Sequence, residues 1–246
     1  MSDSQTQRSV LDIRNNNRDQ ENIMQKFETP AAITAVVDIP AGRIQVIAAD
    51  RADTTVEVRP ANASKGRDVK AAEQTKVEFS DGVLRIVAPE GKNQILGASG
   101  SIEVTVQLPT GSSVEAKAGA AEFRGVGRLG DVACEGANGE VKIDEAASMR
   151  LAALAGDVTV GRLTGSAEIS TQKGDIHVAE ATAGKLVLRT VMGNVTVDAA
   201  PGVSASLDAG TSYGRVSNSL KNTEGATAGL TIHATTDHGD ITARSL

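Results

Sequence analysis

The chain has 246 residues, a formal net charge of −6 and a sequence pI of about 5.2. This acidity argues against nucleic-acid binding and against electrostatic docking on anionic lipid, because both need clustered Lys and Arg. Aromatic residues make up only 2% of the chain, with no Trp, which disfavours carbohydrate and base recognition by ring stacking. The single cysteine allows no intrachain disulfide.

Residues 1–28 are rich in Asn, Gln, Arg and Asp and show no sustained hydrophobic period, so we predict a flexible polar tail. The N-terminus has no apolar run of signal-peptide length, and no stretch reaches the roughly 20 apolar residues of a membrane-spanning helix. We therefore expect a cytoplasmic protein with no membrane partner. A chain whose export signal had been removed would look the same, so a secreted or surface protein stays an alternative.

Residues 29–111 are predicted to form irregular β-strands, because apolar and polar residues alternate there and turn residues separate the runs. In chain order the predicted elements are strands on both sides of a turn at 40–42, a strand over 54–60, one or two helical turns within 64–75, a hairpin over 76–89, a Gly-rich loop over 89–100 and a strand over 101–111. The Asp81-Gly82 pair is the expected tip of the hairpin, because Asp-Gly favours the tight turn between paired strands.

From residue 112 onward a short phrase recurs: GDVTV at 156–160, GDIHV at 174–178, GNVTV at 193–197 and GDITA at 239–243. We call its first residue, and the equivalent residue of two less regular copies, the marker glycines: Gly139, Gly156, Gly174, Gly193, Gly214 and Gly239. The differences between successive numbers are 17, 18, 19, 21 and 25 residues. A period of this length indicates stacked structural repeats.

Aligned on the marker glycines, the repeats share apolar columns on both sides of the glycine. Two residues after it the column contains Val141, Val158, Ile176, Val195, Val216 and Ile241. Seven residues before it the column contains Val132, Met149, Ala167, Leu186, Leu207 and Ile232. Polar residues alternate with these positions, which predicts a strand, a tight glycine turn, a second strand and a loop in each repeat.

A single repeat buries about four medium apolar side chains, which contribute roughly 1.5–3 kcal/mol each. Ordering its roughly 18 residues costs about 1–2 kcal/mol per residue in backbone entropy, so one repeat cannot fold alone. Stacked repeats share inter-strand hydrogen bonds and a continuous core. We therefore predict an all-β solenoid that forms a single domain over 29–246, with irregular strands over 29–111 and regular repeats over 112–246.

The recurring GDVTV, GDIHV, GNVTV and GDITA motifs, preceded by LPTG at 108–111, resemble those of the bacterial adhesin-like β-strand-repeat domain of unknown function. The resemblance covers roughly residues 27–246. It implies a repetitive β fold and an adhesin-like role. It supplies no catalytic, cofactor-binding or metal-binding residue.

The position after each marker glycine carries the most polar column of the repeats: Glu140, Asp157, Asp175, Asn194, Arg215 and Asp240. We interpret its Asp and Asn residues as structural turn residues that close Asx-type turns. Asp157 and Asp175 would lie about 4.8 Å apart on adjacent strands, close to the roughly 5–5.5 Å between the carboxyl groups of a retaining glycosidase. The scarcity of aromatic sugar platforms favours the structural interpretation.

The remaining chemistry-bearing side chains do not predict a convergent site. His177 is three repeats away from His233 and His238, roughly 14 Å by strand spacing, so we expect no metal site. Cys134 falls in an inward column and is expected to be a buried thiol. A threonine ladder with inward parity, three residues before the marker glycines, is expected to border the core: Thr171, Thr190, Thr211 and Thr236.

The chain ends at GDITARSL, directly after a repeat strand, so we expect an exposed C-terminal solenoid edge that is open to a homo-oligomer or a protein partner. No cofactor, nucleic acid or particular small-molecule ligand is indicated. We interpret the chain as a non-catalytic, adhesin-like scaffold or binding module that mediates protein–protein interaction or self-association. The alternatives are a β-helix enzyme acting on a polysaccharide and an exported surface adhesin.

Overall fold

The computed structural model describes residues 23–89 and 100–246, and the fold of these residues is almost entirely β. The strands are β1 (Ile23–Glu28), β2 (Thr34–Ala49), β3 (Asp53–Pro60), β4 (Lys76–Ser80), β5 (Val83–Val87), β6 (Ile102–Pro109), β7 (Ser113–Asn138), β8 (Val141–Ala155), β9 (Val158–Leu163), β10 (Ala167–Lys173), β11 (Ile176–Ala181), β12 (Gly184–Met192), β13 (Val195–Ala199), β14 (Ala205–Tyr213), β15 (Val216–Ser219), β16 (Leu230–His238) and β17 (Ile241–Ser245). One α-helix, α1 (Gly66–Gln74), and one 3-10 turn (Gly225–Thr227) accompany them. Within these residues no helix is long and apolar enough to cross a membrane.

The regular part of the chain is a stack of coils, and each coil contributes one strand to each of two parallel ladders. In the first ladder, formed by the strands before the marker glycines, the pairs are β7–β8, β8–β10, β10–β12, β12–β16 and β16–β14. In the second ladder, formed by the strands after them, the pairs are β8–β9, β9–β11, β11–β13, β13–β17 and β17–β15. This stacking confirms the predicted β-solenoid. Each coil is named below by its marker glycine.

The predicted apolar columns meet inside the stack. Ile176 pairs with Val158 on one side and with Val195 on the other, and all three side chains are buried. In the first ladder, Ile169 pairs with Leu188, and both are fully buried. Because the register is kept from coil to coil, the inward side chains form one continuous hydrophobic interior.

The last coil in the sequence is not the last coil in space. Strand β16 pairs with both β12 and β14, and β17 pairs with both β13 and β15. The Gly239 coil therefore lies between the Gly193 coil and the Gly214 coil. The expectation that the C-terminal strand is an exposed edge is wrong, since Ile241–Ser245 has a paired neighbour on each side. The strands at this end of the stack are β14 and β15.

The different composition of the two final coils gives a physical reason for this order. The Gly239 coil carries Ile232 and Ile241 in its inward columns, and both are buried. The Gly214 coil has Leu207 and Val216 in these columns, but the polar Asn218 takes the next inward position. Enclosing the more apolar coil on both sides removes more hydrocarbon surface from water than enclosing the less apolar one.

An ion pair between the exposed Arg244 and the buried Asp198 joins the Gly239 coil to the Gly193 coil. The carboxylate of Asp198 on β13 is almost fully buried and accepts hydrogen bonds from Nε and Nη2 of Arg244 on β17, both at 2.7 Å. This two-pronged geometry satisfies both carboxylate oxygens of a buried charge. The hydrogen-bonded carboxylate raises the pKa of Arg244 above its ordinary value.

The N-terminal strands cover the other end of the stack. Strand β2 pairs in parallel with β7 on one side, and on its other side with β5 along its first half and with β6 along its second half. Antiparallel strands complete this end, as β4 pairs with β5, β3 with β6 and β1 with β3. Helix α1 packs against β3. The buried Asp68 carboxylate of this helix accepts a hydrogen bond of 3.0 Å from the backbone N–H of Ser101.

Two expectations for the N-terminal part need correction. Residues 23–28 of the predicted tail form strand β1, which pairs with β3. Side chains also hold this strand in place, because Lys26 Nζ lies 2.9 Å from Asp53 Oδ2 and the Phe27 and Phe79 rings lie 5.4 Å apart. The predicted turn at 40–42 is a bend inside the single strand β2, where Gly42 has a φ of +131°. Residues 1–22 of the tail and 90–99 of the predicted Gly-rich loop lie outside the described residues. The predicted helix and Asp-Gly hairpin are both present.

The marker glycines stand where successive coils approach each other backbone to backbone. A Cβ atom on Gly174 would lie 2.1 Å from the carbonyl oxygen of Gly156, and one on Gly193 would lie 2.1 Å from that of Gly174. The φ angles of Gly174 and Gly193 are +141° and +155°. Only glycine combines this conformation with this separation.

Candidate recognition face

The outward side chains of the first ladder form a groove. Its central column contains the larger residues Arg150, Glu168, Val187, His233 and Asp208. The columns on either side contain mostly small residues, among them Ser148, Ser166, Ser170, Thr235 and Gly210. The result is an open groove of about 850 Å³ over β7, β8, β10 and β12, with a further recess of about 400 Å³ over β12, β16 and β14.

Most charged side chains of the central column are matched across neighbouring strands. Arg150 Nε lies 3.9 Å from Glu168 Oε2, and His233 Nδ1 lies 3.1 Å from Asp208 Oδ2. These groups are largely exposed, so the pairs contribute little to stability. They leave the central column itself close to neutral.

Two cations on strand β12 stand apart from this pattern. Lys185 and Arg189 are exposed, flank Val187 on the outer face and line both the groove and the recess. Their Cα atoms are about 13 Å apart along an extended strand. Among the described residues, neither has a carboxylate within 4.0 Å. The middle of the groove therefore presents two positive charges on a chain that is acidic overall.

The β7 end of the groove is acidic. Glu115 and Asp131 line it, and Ser148 Oγ donates a hydrogen bond of 2.6 Å to Asp131 Oδ1. Charge therefore changes sign along the stack, from acidic over β7 to basic over β12. A ligand that lies along the groove meets a fixed polarity, which favours one orientation.

The turn acids form a hydrogen-bonded ladder outside this groove. Asp157 Oδ1 accepts from the backbone N–H of Asp175 at 2.9 Å, and Asp175 Oδ1 accepts from that of Asn194 at 2.7 Å. Asn194 Oδ1 accepts from Asp240 N–H at 2.8 Å, and Asp240 Oδ1 accepts from Arg215 N–H at 2.9 Å. Each of these side chains binds the next coil.

This ladder changes the interpretation of the column in two ways. The Asp and Asn side chains join neighbouring coils, whereas the sequence predicted that each closes its own Asx turn. The coil order also places Asp240 between Asn194 and Arg215. One carboxylate oxygen of Asp157 and one of Asp175 accept a hydrogen bond from a backbone N–H, and neither residue lines the groove. The pair therefore lacks the cleft that glycosidase chemistry requires.

The three histidines do not come together. His177 on β11 is two rungs from β17, rather than the three repeats counted along the sequence. His233 pairs with Asp208, whereas His238 stacks on Tyr213 with ring centroids 4.9 Å apart. Over 23–89 and 100–246, no three His, Cys, Asp or Glu side chains form a cluster suited to a metal ion.

Cys134 lies in the core of the first ladder, where it pairs with Leu151 and is 1% exposed. Burial raises the pKa of its thiol to about 11, and the charge of Glu135 adds to the shift. A nucleophilic or redox-active cysteine needs an accessible thiolate. This side chain instead packs as a small apolar group.

The threonine ladder borders the core and faces the marker glycines. Thr190 Oγ1 donates to the carbonyl oxygen of Gly174 at 3.0 Å, and Thr236 Oγ1 donates to that of Gly193 at 2.9 Å. Both threonines are buried, so they do not form an outer array. Each hydroxyl satisfies a carbonyl group at the corner of the neighbouring coil.

Apart from His233, the residues that define the groove were not singled out from the sequence. The signal was present in the alternation of β12, since Lys185, Val187 and Arg189 share the parity opposite to the buried Leu186 and Leu188. Parity showed which side chains point outward. It did not show that the neighbouring outward positions are small enough to leave a groove.

The regular two-ladder core defines a repetitive β-solenoid protein with an open polar groove. The chain belongs to the Toastrack DUF4097 family, whose sequence model matches residues 3–244. The adhesin-like repeat domain inferred from the GD-V/I-T/H-V motifs is thereby confirmed.

Solved structures with low sequence identity are similar to this chain, and one of them, with a TM-score above 0.5, shares its fold. A putative adhesin from Bacteroides fragilis NCTC 9343 is 14% identical, with a TM-score of 0.53 over 93% of this chain and 98% of that one. A putative cell adhesion protein from Clostridium sporogenes ATCC 15579 is 14% identical, with a TM-score of 0.39 over 92% and 100% of the two chains. No curated protein sequence matches this chain significantly.

Proposed function

We propose that this protein is a non-catalytic, adhesin-like binding module that recognises a protein partner through the groove of the first ladder. The observation that carries the proposal is the pair of unmatched cations, Lys185 and Arg189, on the outer face of a rigid strand inside an extended groove. A partner segment that presents acidic groups complements this charge.

The groups that could perform chemistry are engaged elsewhere, which supports a binding role. Asp157 and Asp175 accept backbone hydrogen bonds at an exposed corner of the stack. Cys134 is buried, with the pKa of its thiol raised to about 11. The groove contains ion pairs and hydroxyl groups, and none of these is aligned as a nucleophile with its base.

The form of the groove suits a polypeptide better than a glycan. It crosses strands that lie about 4.8 Å apart, so its length accommodates several residues of an extended or looped segment. Alternating hydroxyl and charged side chains offer hydrogen bonds, and Val187 offers a small apolar contact. Carbohydrate sites usually use aromatic faces, and the groove-lining residues include none.

Site-specific photo-crosslinking tests this proposal. A photoreactive residue replaces Val187 in the groove or, as the matched control, Thr159 on the outward face of the second ladder. Each chain is exposed to a native extract, and crosslinked proteins are identified by mass spectrometry. We expect one defined partner to be captured from position 187 and not from position 159.

Charge variants decide whether the capture is specific. Lys185→Glu with Arg189→Glu should reduce capture at position 187 by at least tenfold, because the acidic groups of the partner would then meet like charges. Lys142→Glu with Lys173→Glu makes the same charge change outside the groove and should leave capture unchanged. Equal labelling from positions 159 and 187, or equal effects of the two double variants, would contradict the proposal.

A further inference from the structure

We propose that residues 201–228, which contain the Gly214 coil, are an inserted end cap that prevents the solenoid from associating end to end with a second copy of the chain. The inference goes beyond the proposed binding function. Residues 201–228 follow the Gly193 coil in the sequence, but in space they stack on the far side of the Gly239 coil, which comes after them in the chain.

The chain on both sides of the segment already has the geometry of an ordinary coil connection. Between Ala181 and Gly184, two residues join the Gly174 and Gly193 coils. Leu230 pairs with Gly184 as the first residue of the next coil. If residues 201–228 are set aside, two residues likewise lie between positions 199 and 230, namely Ala200 and Gly229.

Hydrogen bonds show that these two residues occupy the connecting positions. Ala200 N–H donates to the carbonyl oxygen of Ala181 at 2.9 Å, and Gly184 N–H donates to that of Gly229 at 2.9 Å. Ala200 is therefore bonded to the coil below it, and Gly229 continues directly into β16. Residues 201–228 stand out as an insertion between two halves of a regular connection.

The inserted coil has the properties of a terminal cap. Among the described residues, β14 pairs only with β16, and β15 pairs only with β17. Leu207 and Ala209 pack against the core but are only half-buried, Val216 is 46% exposed and Asn218 is exposed in an inward column. Terminal repeats of solenoids carry such polar outer faces because nothing stacks on them.

Arg215 ends the acid ladder at this coil. Its backbone N–H donates to Asp240 Oδ1, and the Gly174, Gly193 and Gly239 coils make the same bond to their neighbours. Its guanidinium group lies 3.5 Å from the same carboxylate and has only donors. It cannot accept the N–H of a further coil, so the turn chemistry that joins coils stops here.

Both connections of the cap are fastened near its base. The buried Ser204 Oγ accepts hydrogen bonds from the backbone N–H groups of Thr223 and Glu224, each at 3.1 Å. Ala205 N–H donates to the carbonyl oxygen of Lys221 at 3.0 Å. These hydrogen bonds join the start of the segment, at 204–205, to its end, at 221–224, and so keep the coil over the end of the stack.

Without the cap, the Gly239 coil would be the end of the solenoid. Its inward side chains are apolar and buried beneath the cap: Leu230, Ile232, Ala234, Ile241 and Ala243. The edges of β16 and β17 would also lose their hydrogen-bond partners. A second copy related by a two-fold axis presents two such edges and the same apolar end, so it matches both ladders at once.

Deletion of residues 201–228, with Ala200 joined to Gly229, tests the cap. We expect the shortened chain to fold, because the junction has ordinary coil geometry. Light scattering after size-exclusion chromatography should show about twice the mass of one shortened chain, whereas the full chain should have the mass of a single copy. A shortened chain that fails to fold, or that folds and stays single, overturns the inference, and so does a full chain that associates equally.

A point variant tests the same inference with the whole chain present. Leu207→Asp places a charge between the cap and Ile232 and should release the cap, which leads to the same doubling of mass. Asp208→Asn is the control, because its side chain is 82% exposed and points outward on the adjacent position. A folded Leu207→Asp protein with the mass of a single chain would count against the cap.

Discussion

At the scale of single residues, the marker glycines of neighbouring coils pack backbone to backbone. Gly174 combines a φ of +141° with a position at which a Cβ would lie 2.1 Å from the Gly156 carbonyl oxygen. The neighbour is backbone in the turn between β8 and β9, so it cannot turn aside as a flexible side chain could. The requirement for glycine is therefore both conformational and steric.

Gly174→Ala should destabilise the fold by about 3 kcal/mol or more, because backbone strain and steric overlap each cost roughly 1–3 kcal/mol. Denaturant unfolding followed by circular dichroism measures the change. Gly210→Ala is the control, since a Cβ there meets nothing within 4 Å, and its effect should stay within about 0.5 kcal/mol. Equal effects of the two substitutions would refute this account of the glycine column.

The acid ladder makes a second prediction at this scale. Asp175→Ala removes the acceptor for Asn194 N–H and should lower the free energy of unfolding by about 1 kcal/mol. Asp175→Asn should be close to neutral, because Asn194 itself shows that an amide oxygen can make the same bond to the next coil. Chemical denaturation of the two variants tests this, and a neutral alanine variant would show that the ladder adds nothing.

Cys134 predicts a pH dependence of stability. Burial raises the pKa of its thiol to about 11 from an ordinary value of 9.0. Between these values the unfolded chain loses the proton while the folded chain retains it. The thiol's contribution is thus present below pH 9 and is lost as pH rises towards 11, by about 1.4 kcal/mol per pH unit.

The measurement compares unfolding of the native chain and Cys134→Ala across this range. Subtracting the two curves removes the titration of other groups, and the native chain should lose stability relative to the variant above pH 9. Parallel curves between pH 8 and 11 would mean that the thiol is not sequestered.

At the scale of elements, the Gly239 coil connects the regular coils to the terminal Gly214 coil. Strands β16 and β17 each have two paired neighbours, and Arg244 satisfies the buried Asp198 carboxylate. A truncation at the end of a linear repeat array normally removes one coil and one interface. Here the same truncation removes two interfaces and the Arg244 partner of the Asp198 carboxylate.

Deletion of residues 230–246 should therefore be far more damaging than the internal deletion of 201–228, although it removes fewer residues. We expect the first to lose cooperative thermal unfolding and the second to keep it, because only the first removes the coil that has a stacked neighbour on both sides. If the two truncated chains have similar melting temperatures, the coil order described here is contradicted.

At the scale of the whole molecule, each coil contacts mainly its immediate neighbours, so local stability should vary along the stack. Amide hydrogen exchange should be slowest in β10 to β13, which are enclosed on both sides. It should be fastest, among the coil strands, in β14 and β15, which have one neighbour each. Uniform protection through all coils would indicate a single cooperative unit and would contradict this gradient of local stability.

Much of the architecture could be predicted from particular residues. The spacing from Val158 to Ile176 to Val195 predicted a shared inward column, and the structure stacks these residues as neighbours. The Asp81-Gly82 hairpin was equally recognisable, because positive φ at both residues depends on the local chain alone. Where the sequence prediction failed, at β1 and at the coil order, the outcome depended on which distant strand offered a partner.

The groove could be predicted only in part. Strand alternation places Lys185 and Arg189 outward, but the recess beside them depends on Gly210 and Thr235, which lie on strands far along the chain. Because the Gly239 coil comes between, those neighbours are not the ones that sequence order suggests. A surface assembled from several coils is defined by the order in which the coils stack.

The sequence by itself determined the repeating unit, because apolar alternation and glycine turns act within about 20 residues and repeat with the chain. It also determined which side chains point inward, since that depends only on the two-residue period of a strand. The tertiary structure alone decided the coil order. The marker-glycine columns recur in every coil and so do not select its neighbours. The arrangement adopted encloses the more apolar coil on both sides and pairs Asp198 with Arg244.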